Sequence, residues 1–131
     1  RGPGDVYKRQ GFLRKVFEVF EKYRTPIDMI TTSEVAVSVT IDNATHLDAI
    51  VQELEPFGTV EVDKEQTIVA IVGNEIARTE NMLTRLFDSL QAIPVRMVSY
   101  GGSPHNVSLL VPSAYKTQTL QALNKGIFGL E

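Results

Sequence analysis

Apolar positions recur at three- and four-residue spacing in Phe12, Leu13, Val16, Phe17, Phe20 and Tyr23. That spacing predicts an amphipathic helix with this stripe buried, ended by Pro26. Residues 27–31 then read as a strand. Val35, Val37, Val39 and Ile41 alternate with Ala36, Ser38 and Thr40, the period of a strand with one buried face. Asp42-Asn43 interrupts it. Thr45 with Asp48 makes a short form of the capping box, and Leu47, Ile50, Val51 and Leu54 mark a second helix stopped by Pro56 and Gly58. Val60 and Val62 alternate in a short strand. The near-continuous apolar run from Thr67 to Val72 predicts a strand buried on both faces or centrally placed.

The pattern then restarts. Met82, Leu83, Leu86, Phe87 and Leu90 mark a third helix, Val95 to Tyr100 a strand, Gly101-Gly102-Ser103-Pro104 a turn, and Asn106 to Val111 a strand. Ser113 stands where it would cap a last helix with Tyr115, Leu120 and Leu123 on its apolar face. The chain is an internal repeat. Leu13-Arg14-Lys15-Val16-Phe17-Glu18 aligns with Leu83-Thr84-Arg85-Leu86-Phe87-Asp88, and Pro26-Ile27-Asp28-Met29-Ile30 with Pro94-Val95-Arg96-Met97-Val98. Each copy runs helix, strand, strand, helix. A strand at each end gives β-α-β-β-α-β, the ferredoxin-like unit. The expected class is α+β, with units at residues 11–64 and 65–131. A unit of about 60 residues is only marginally able to bury a core alone, so the copies are expected to pack together or to pair with another chain. The first copy lacks an opening strand. Residues 1–10, RGPGDVYKRQ, hold Gly2, Pro3 and Gly4 and little apolar content, a poor strand expected to be disordered or foreign to the fold.

Composition narrows the function classes. The 131 residues are 43% hydrophobic and 22% charged with net charge −3, which implies no broad attraction to nucleic acid or anionic membrane. There is no Cys, hence no disulfide, thiolate metal site or Cys nucleophile. His46 and His105 are far apart and in no metal-ligand spacing. No apolar run approaches the ~20 residues of a membrane helix, and the start has no signal-peptide apolar region, so a cytoplasmic location is expected. No phosphate loop, dinucleotide fingerprint, nucleophile elbow or zinc-protease motif is present. No catalytic or metal-binding residue is assigned. The Gly101–Pro104 stretch reads as a hairpin connection, and His105 and His46 as surface side chains.

The two copies differ at one place. Where the first has Asp28, the second has Arg96. Where the first has Thr32, Ser33 and Glu34, the second has Gly102, Ser103 and Pro104. Carboxylates with hydroxyls suit an ammonium group. Backbone amides at a helix start around Gly11, Phe12 and Leu13 suit a carboxylate. Both together describe an amino acid. The same residues also read as exposed strand-end charges beside an ordinary helix start, and spacing alone leaves both readings open.

The segments "GFLRKVF", "IDMITTSEVAVSVTID", "IVAIVGNEI", "VRMVSYGGSPHNVSLLVP" and "ALNKGIF" together resemble the C-terminal regulatory region of aspartate kinases, especially the lysine-sensitive monofunctional type. The resemblance covers residues 11 to about 129 and implies two tandem ACT domains of ferredoxin-like topology. It implies a parent enzyme that phosphorylates aspartate with ATP and Mg²⁺, whose kinase domain is not in this sequence. The chain itself is therefore expected to be non-catalytic and free of cofactor. The resemblance further implies feedback inhibition by lysine, bound at a homodimer interface of the first ACT domain. Its matching positions are Gly11, Phe12, Leu13, Ile27, Asp28, Ser33 and Glu34, with Asp28 and Glu34 on the ammonium groups and the Gly11–Leu13 backbone on the carboxylate. A threonine-responsive relative, or a ligand-free dimerisation module, are the alternatives. Residues 1–10 depart from the family, where that segment supplies a strand and a ligand-contacting loop.

Overall fold

The computed structural model describes residues 3–33 and 36–130. The chain divides into two compact units, Arg1–Val62 and Asp63–Glu131.

In the first unit the order is α1 (Pro3–Lys22), β1 (Met29–Thr32), β2 (Val37–Thr40) and α2 (Leu47–Leu54). β1 and β2 form an antiparallel pair with Met29 opposite Thr40 and Thr32 opposite Val37. The core is Val16, Val19 and Phe20 of α1 against Ile50 and Leu54 of α2, with Phe12, Tyr23, Ile27, Val39, Ile41 and Val60 packed around it. Phe17, expected within the buried stripe, is 49% exposed, and Val19 is buried in its stead. The reason is angular. Val16, Val19, Phe20 and Tyr23 lie on one 3.6-residue face, and Phe17 lies one residue off it. The expected capping box of α2 is not formed. Asn43 Oδ1 accepts from the Thr45 backbone at 2.9 Å, an Asx turn, and His46 precedes the helix with no side-chain cap.

The second unit runs β3 (Gln66–Val72), α3 (Met82–Ser89), β4 (Met97–Ser99), β5 (Asn106–Pro112) and α4 (Lys116–Gly126). Its antiparallel sheet has the order β3-β5-β4. Val69, Ile71, Val107, Leu109 and Val111 bury one sheet face in a cluster with Met82 and Leu86 of α3, Leu90 just after it, and Leu123 of α4. The apolar run of β3 had suggested a central or doubly buried strand. β3 is instead an edge strand, with Ile68 38% and Val72 67% exposed, and β5 is central, with Leu109, Leu110 and Val111 all buried. On α4, Thr119 rather than Leu120 faces inward; Leu120 is 42% exposed. Thr119 tolerates full burial because its Oγ1 donates to the Tyr115 carbonyl at 2.7 Å, leaving no unpaired hydroxyl. Ser113 does not cap α4 with its side chain. Its Oγ shares a 2.7 Å hydrogen bond with Thr67 Oγ1.

Both units are mixed helix and sheet, each a partial β-α-β-β-α-β unit. The strand expected at Val60–Val62 is not formed. In the second unit the strand ahead of the first helix is β3, which lies beside β5. Among the described residues no such strand precedes α1, so the segment at 60–62 has no neighbour to complete its ladder.

Candidate functional site

The hairpin β1–β2 carries the polar residues singled out in the sequence. Asp28 stands just before β1, where its backbone N–H donates to the Thr40 carbonyl at 2.9 Å. Its side chain is exposed and, among the described residues, makes no ion pair or hydrogen bond. Ser33 stands just after β1. Its N–H donates to the Ala36 carbonyl at 2.8 Å and its Oγ accepts from the Ala36 N–H at 3.2 Å. These bonds hold the turn without glycine, because a serine side chain supplies the local acceptor that shapes it. Glu34 lies outside the described residues.

Asp28 and Ser33 flank the whole of β1. At about 3.3 Å per residue their Cα positions are about 17 Å apart along the strand, and an odd separation puts their side chains on opposite faces. A lysine, with its four-carbon stem, does not bridge that distance within one chain. The hairpin therefore does not bring the two ends of the expected site together by itself.

The helical part of the expected site differs from its sequence reading. α1 begins at Pro3, so Gly11, Phe12 and Leu13 lie in its interior. Their amides are not at a helix start in this structure, because interior N–H groups bond to the carbonyls four residues back. The helix extends backwards because Pro is well placed in a first turn and nothing between Gly4 and Gln10 prevents its propagation. Phe12 and Ile27 pack against the core of the first unit; a Cβ on Gly58 would lie 3.6 Å from the Phe12 ring. Leu13 is half-buried and Gly11 exposed.

A charged cluster that the sequence did not suggest joins α1 to α2. Lys22 Nζ donates to both Glu53 carboxylate oxygens at 3.0 and 2.9 Å, and the Tyr23 hydroxyl donates to Glu53 as well. The hydrogen bond from Tyr23, then that from Lys22, holds the Glu53 carboxyl below its ordinary value. The same contacts with Glu53 raise Tyr23 and Lys22 above theirs. The His46 ring lies 5.7 Å from that of Tyr23. A carboxylate thirty positions from its partners leaves no periodic trace in sequence. Among the described residues no group of three or more His, Asp or Glu is placed to hold a metal ion, and no helix is long and apolar enough to cross a membrane.

Comparison with known proteins decides the family. Residues 69–126 match the ACT domain family. A solved chain from Porphyromonas gingivalis W83, described as a proposed C-terminal regulatory domain of aspartate kinase, is 46% identical with a TM-score of 0.82, over 92% of this chain and 82% of that one. The chain belongs to the ACT-domain regulatory regions of aspartate kinase. Lysine-sensitive aspartokinase 3 of Escherichia coli is 32% identical over 91% of the chain and 28% of the relative. Aspartokinase 1 of Arabidopsis thaliana is 35% identical over 90% and 22%. The chain thus spans about a quarter of the length of these curated relatives. The E. coli aspartokinase III structure in complex with lysine and aspartate, a T-state, superposes with a TM-score of 0.76 at 33% identity, over 90% of this chain and 28% of that one.

Proposed function

We propose that this regulatory region senses lysine, and that one lysine is held between two copies of the chain. Asp28 of one copy takes one ammonium group. Glu34, beside Ser33 of the second copy, takes the other. The observation that carries this reading is the separation of Asp28 and Ser33 at opposite ends of β1. One ligand reaches both positions only where two hairpins meet. The exposed Asp28 carboxylate, without an ion pair among the described residues, is the free acceptor that such a ligand needs. The lysine complex of the E. coli relative supports the choice of ligand. Lysine then favours the paired state, and the pairing restrains a kinase domain that phosphorylates aspartate with ATP and Mg²⁺. No step through ATP or Mg²⁺ is assigned to the residues of this chain.

The lysine carboxylate meets the backbone of Gly11–Leu13 in this reading. That contact requires α1 to begin at Gly11, so residues 3–10 leave the helix when lysine binds. Calorimetry with lysine, threonine and methionine tests the assignment: lysine alone gives a saturable heat, and Asp28→Ala weakens it by about 1.5–3 kcal/mol, the range for a hydrogen bond to a charged group. Threonine binding in place of lysine transfers the region to a threonine-responsive type.

A second reading, a dimerisation module without ligand, is favoured by the open edge of β3 and its exposed Ile68 and Val72, since an apolar edge strand readily pairs with another chain. In that case association is independent of lysine.

A further inference from the structure

The second unit has a cleft of its own. It opens between the connection from β3 to α3 and the turn from β4 to β5, and is lined by Ala77, Arg78, Tyr100, Gly101, Ser103 and Pro104. Its volume is about 130 Å³, well under the roughly 300–1,000 Å³ of a drug-sized site, so it admits a small acidic group rather than a nucleotide. Its two walls are laced together. The Tyr100 hydroxyl donates to the Ala77 carbonyl at 2.8 Å, and the Ala77 N–H donates to the Pro104 carbonyl at 3.0 Å. The Glu75 N–H donates to His105 Nδ1 at 2.8 Å, and the Gly73 N–H to the His105 carbonyl at 3.0 Å. His105 is exposed, as the sequence reading expects, and its two bonds tie the β4–β5 turn to the connection after β3.

The donors at the rim have capacity left. Arg78 spends only Nη1, on Glu75 Oε1 at 3.1 Å, and keeps the rest of its planar fork, which matches a carboxylate. The ion pair is exposed on both sides and opens at little cost. Among the described residues the amides of Gly101 and Gly102 donate no hydrogen bond. Both residues are exposed, and a Cβ on either would meet nothing within 4 Å. Gly101 has φ +96°, a conformation that holds the turn open and that side chains disfavour.

We propose that this cleft binds a small carboxylate-bearing molecule, Arg78 pairing with the carboxylate and the Gly101 amide donating to it, with Gly102 next to it in the turn as a reporter of binding. By the internal repeat, the turn that bounds this cleft is the counterpart of the strand-to-strand turn that follows Asp28 in the first copy. The carboxylates there, Asp28 and Glu34, correspond to Arg96 and Pro104 here, so the second copy has no carboxylate at either place. The proposal stands apart from the lysine reading.

The test is an amide-resolved NMR titration of the whole chain with two probes. N-acetylglycine offers a carboxylate without an ammonium; glycinamide offers the reverse. N-acetylglycine produces saturable shifts at Gly101, Gly102 and Arg78, and glycinamide does not. Arg78→Gln weakens the N-acetylglycine response at least about tenfold, the loss expected of a charge-assisted hydrogen bond. Arg96→Gln, which removes the ion pair to Asp63 outside the cleft, leaves it unchanged. Unaltered Leu86 and Val107 amides show that each variant is folded. The proposal is overturned by the absence of saturable shifts at Gly101 and Gly102, by an undiminished response in folded Arg78→Gln, or by equal shifts with glycinamide.

Discussion

Gly126 is the last residue of α4, and its replacement by alanine has a sign that sequence alone would get wrong. Alanine exceeds glycine in helix propensity by up to about 1 kcal/mol, so Gly126→Ala ought to stabilise. In the structure, a Cβ on Gly126 would overlap Ser89 Oγ and stand 2.7 Å from Ser89 Cβ. Rotating the hydroxyl relieves the first contact only, and breaks the 2.6 Å bond from Ser89 Oγ to the Arg85 carbonyl. The second contact needs α3 and α4 to move apart. Overpacking costs about 1–3 kcal/mol, and the propensity gain at a helix end is small, so the net loss is about 1–2 kcal/mol. With a urea slope of about 1–3 kcal/mol/M, the midpoint of the second unit falls by about 0.3–2 M. With no Trp in the chain, far-UV circular dichroism with residue-resolved hydrogen exchange follows the transition. Ser89→Ala keeps the offending Cβ and gives no rescue. Ser89→Gly removes it, so the double variant is less destabilised than the two single losses added, by about 1 kcal/mol or more. A Gly126→Ala chain as stable as the parent, or more so, refutes this packing of α3 on α4.

The remaining predictions concern the first unit. The Glu53 carboxyl titrates below its ordinary value because Tyr23 and Lys22 bond to the ionised form. Its contribution is therefore present above the unfolded value of 4.5 and lost as pH falls through the lower folded one. Glu53→Gln flattens the acid limb of a stability–pH curve; an unchanged limb contradicts the cluster. Lys22 and Tyr23 are raised from 10.5 and 10.0, first by Glu53. Their contributions hold below those values and fade as pH rises through the folded ones, an alkaline limb that Glu53→Gln also removes. Gln10→Pro ends the helix ahead of Gly11, because proline suits a first helical turn and breaks an interior. Among the described residues the core of the first unit begins at Phe12, so the unit survives this change, and freed amides at Gly11–Leu13 tighten lysine binding in calorimetry. Weaker or unaltered binding removes those amides from the site.

Much of the fold was legible because most elements carry a clear period. The helix faces through Val16 and Phe20, through Ile50 and Leu54, and through Met82, Leu86 and Leu90 are buried as the spacing implied. The repeat between Leu13–Glu18 and Leu83–Asp88 extends to its exceptions: Phe17 and Phe87, at matching positions, are 49% and 53% exposed. Periodicity finds a stripe but not its width, so both phenylalanines were counted inside. The apolar run of β3 was misplaced because hydrophobicity reports neither edge nor centre; pairing partners far along the chain decide that. The failed strand at 60–62 depended on a neighbour, not on its own alternation. At the candidate site the polar turn and Asp28 were visible as residues that a bare hairpin does not require. The distance between them was not, since it follows from β1 being fully extended. The start of α1 was missed because residues 3–10 have no apolar stripe, and a helix continues through such a stretch once nucleated.

Sedimentation velocity of the chain with and without millimolar lysine tests the central claim most directly. The account predicts that lysine raises the proportion of dimer, that threonine and methionine do not, and that Asp28→Ala shifts the response to at least about tenfold higher lysine. A dimer fraction that is the same with and without lysine contradicts a ligand held between two copies.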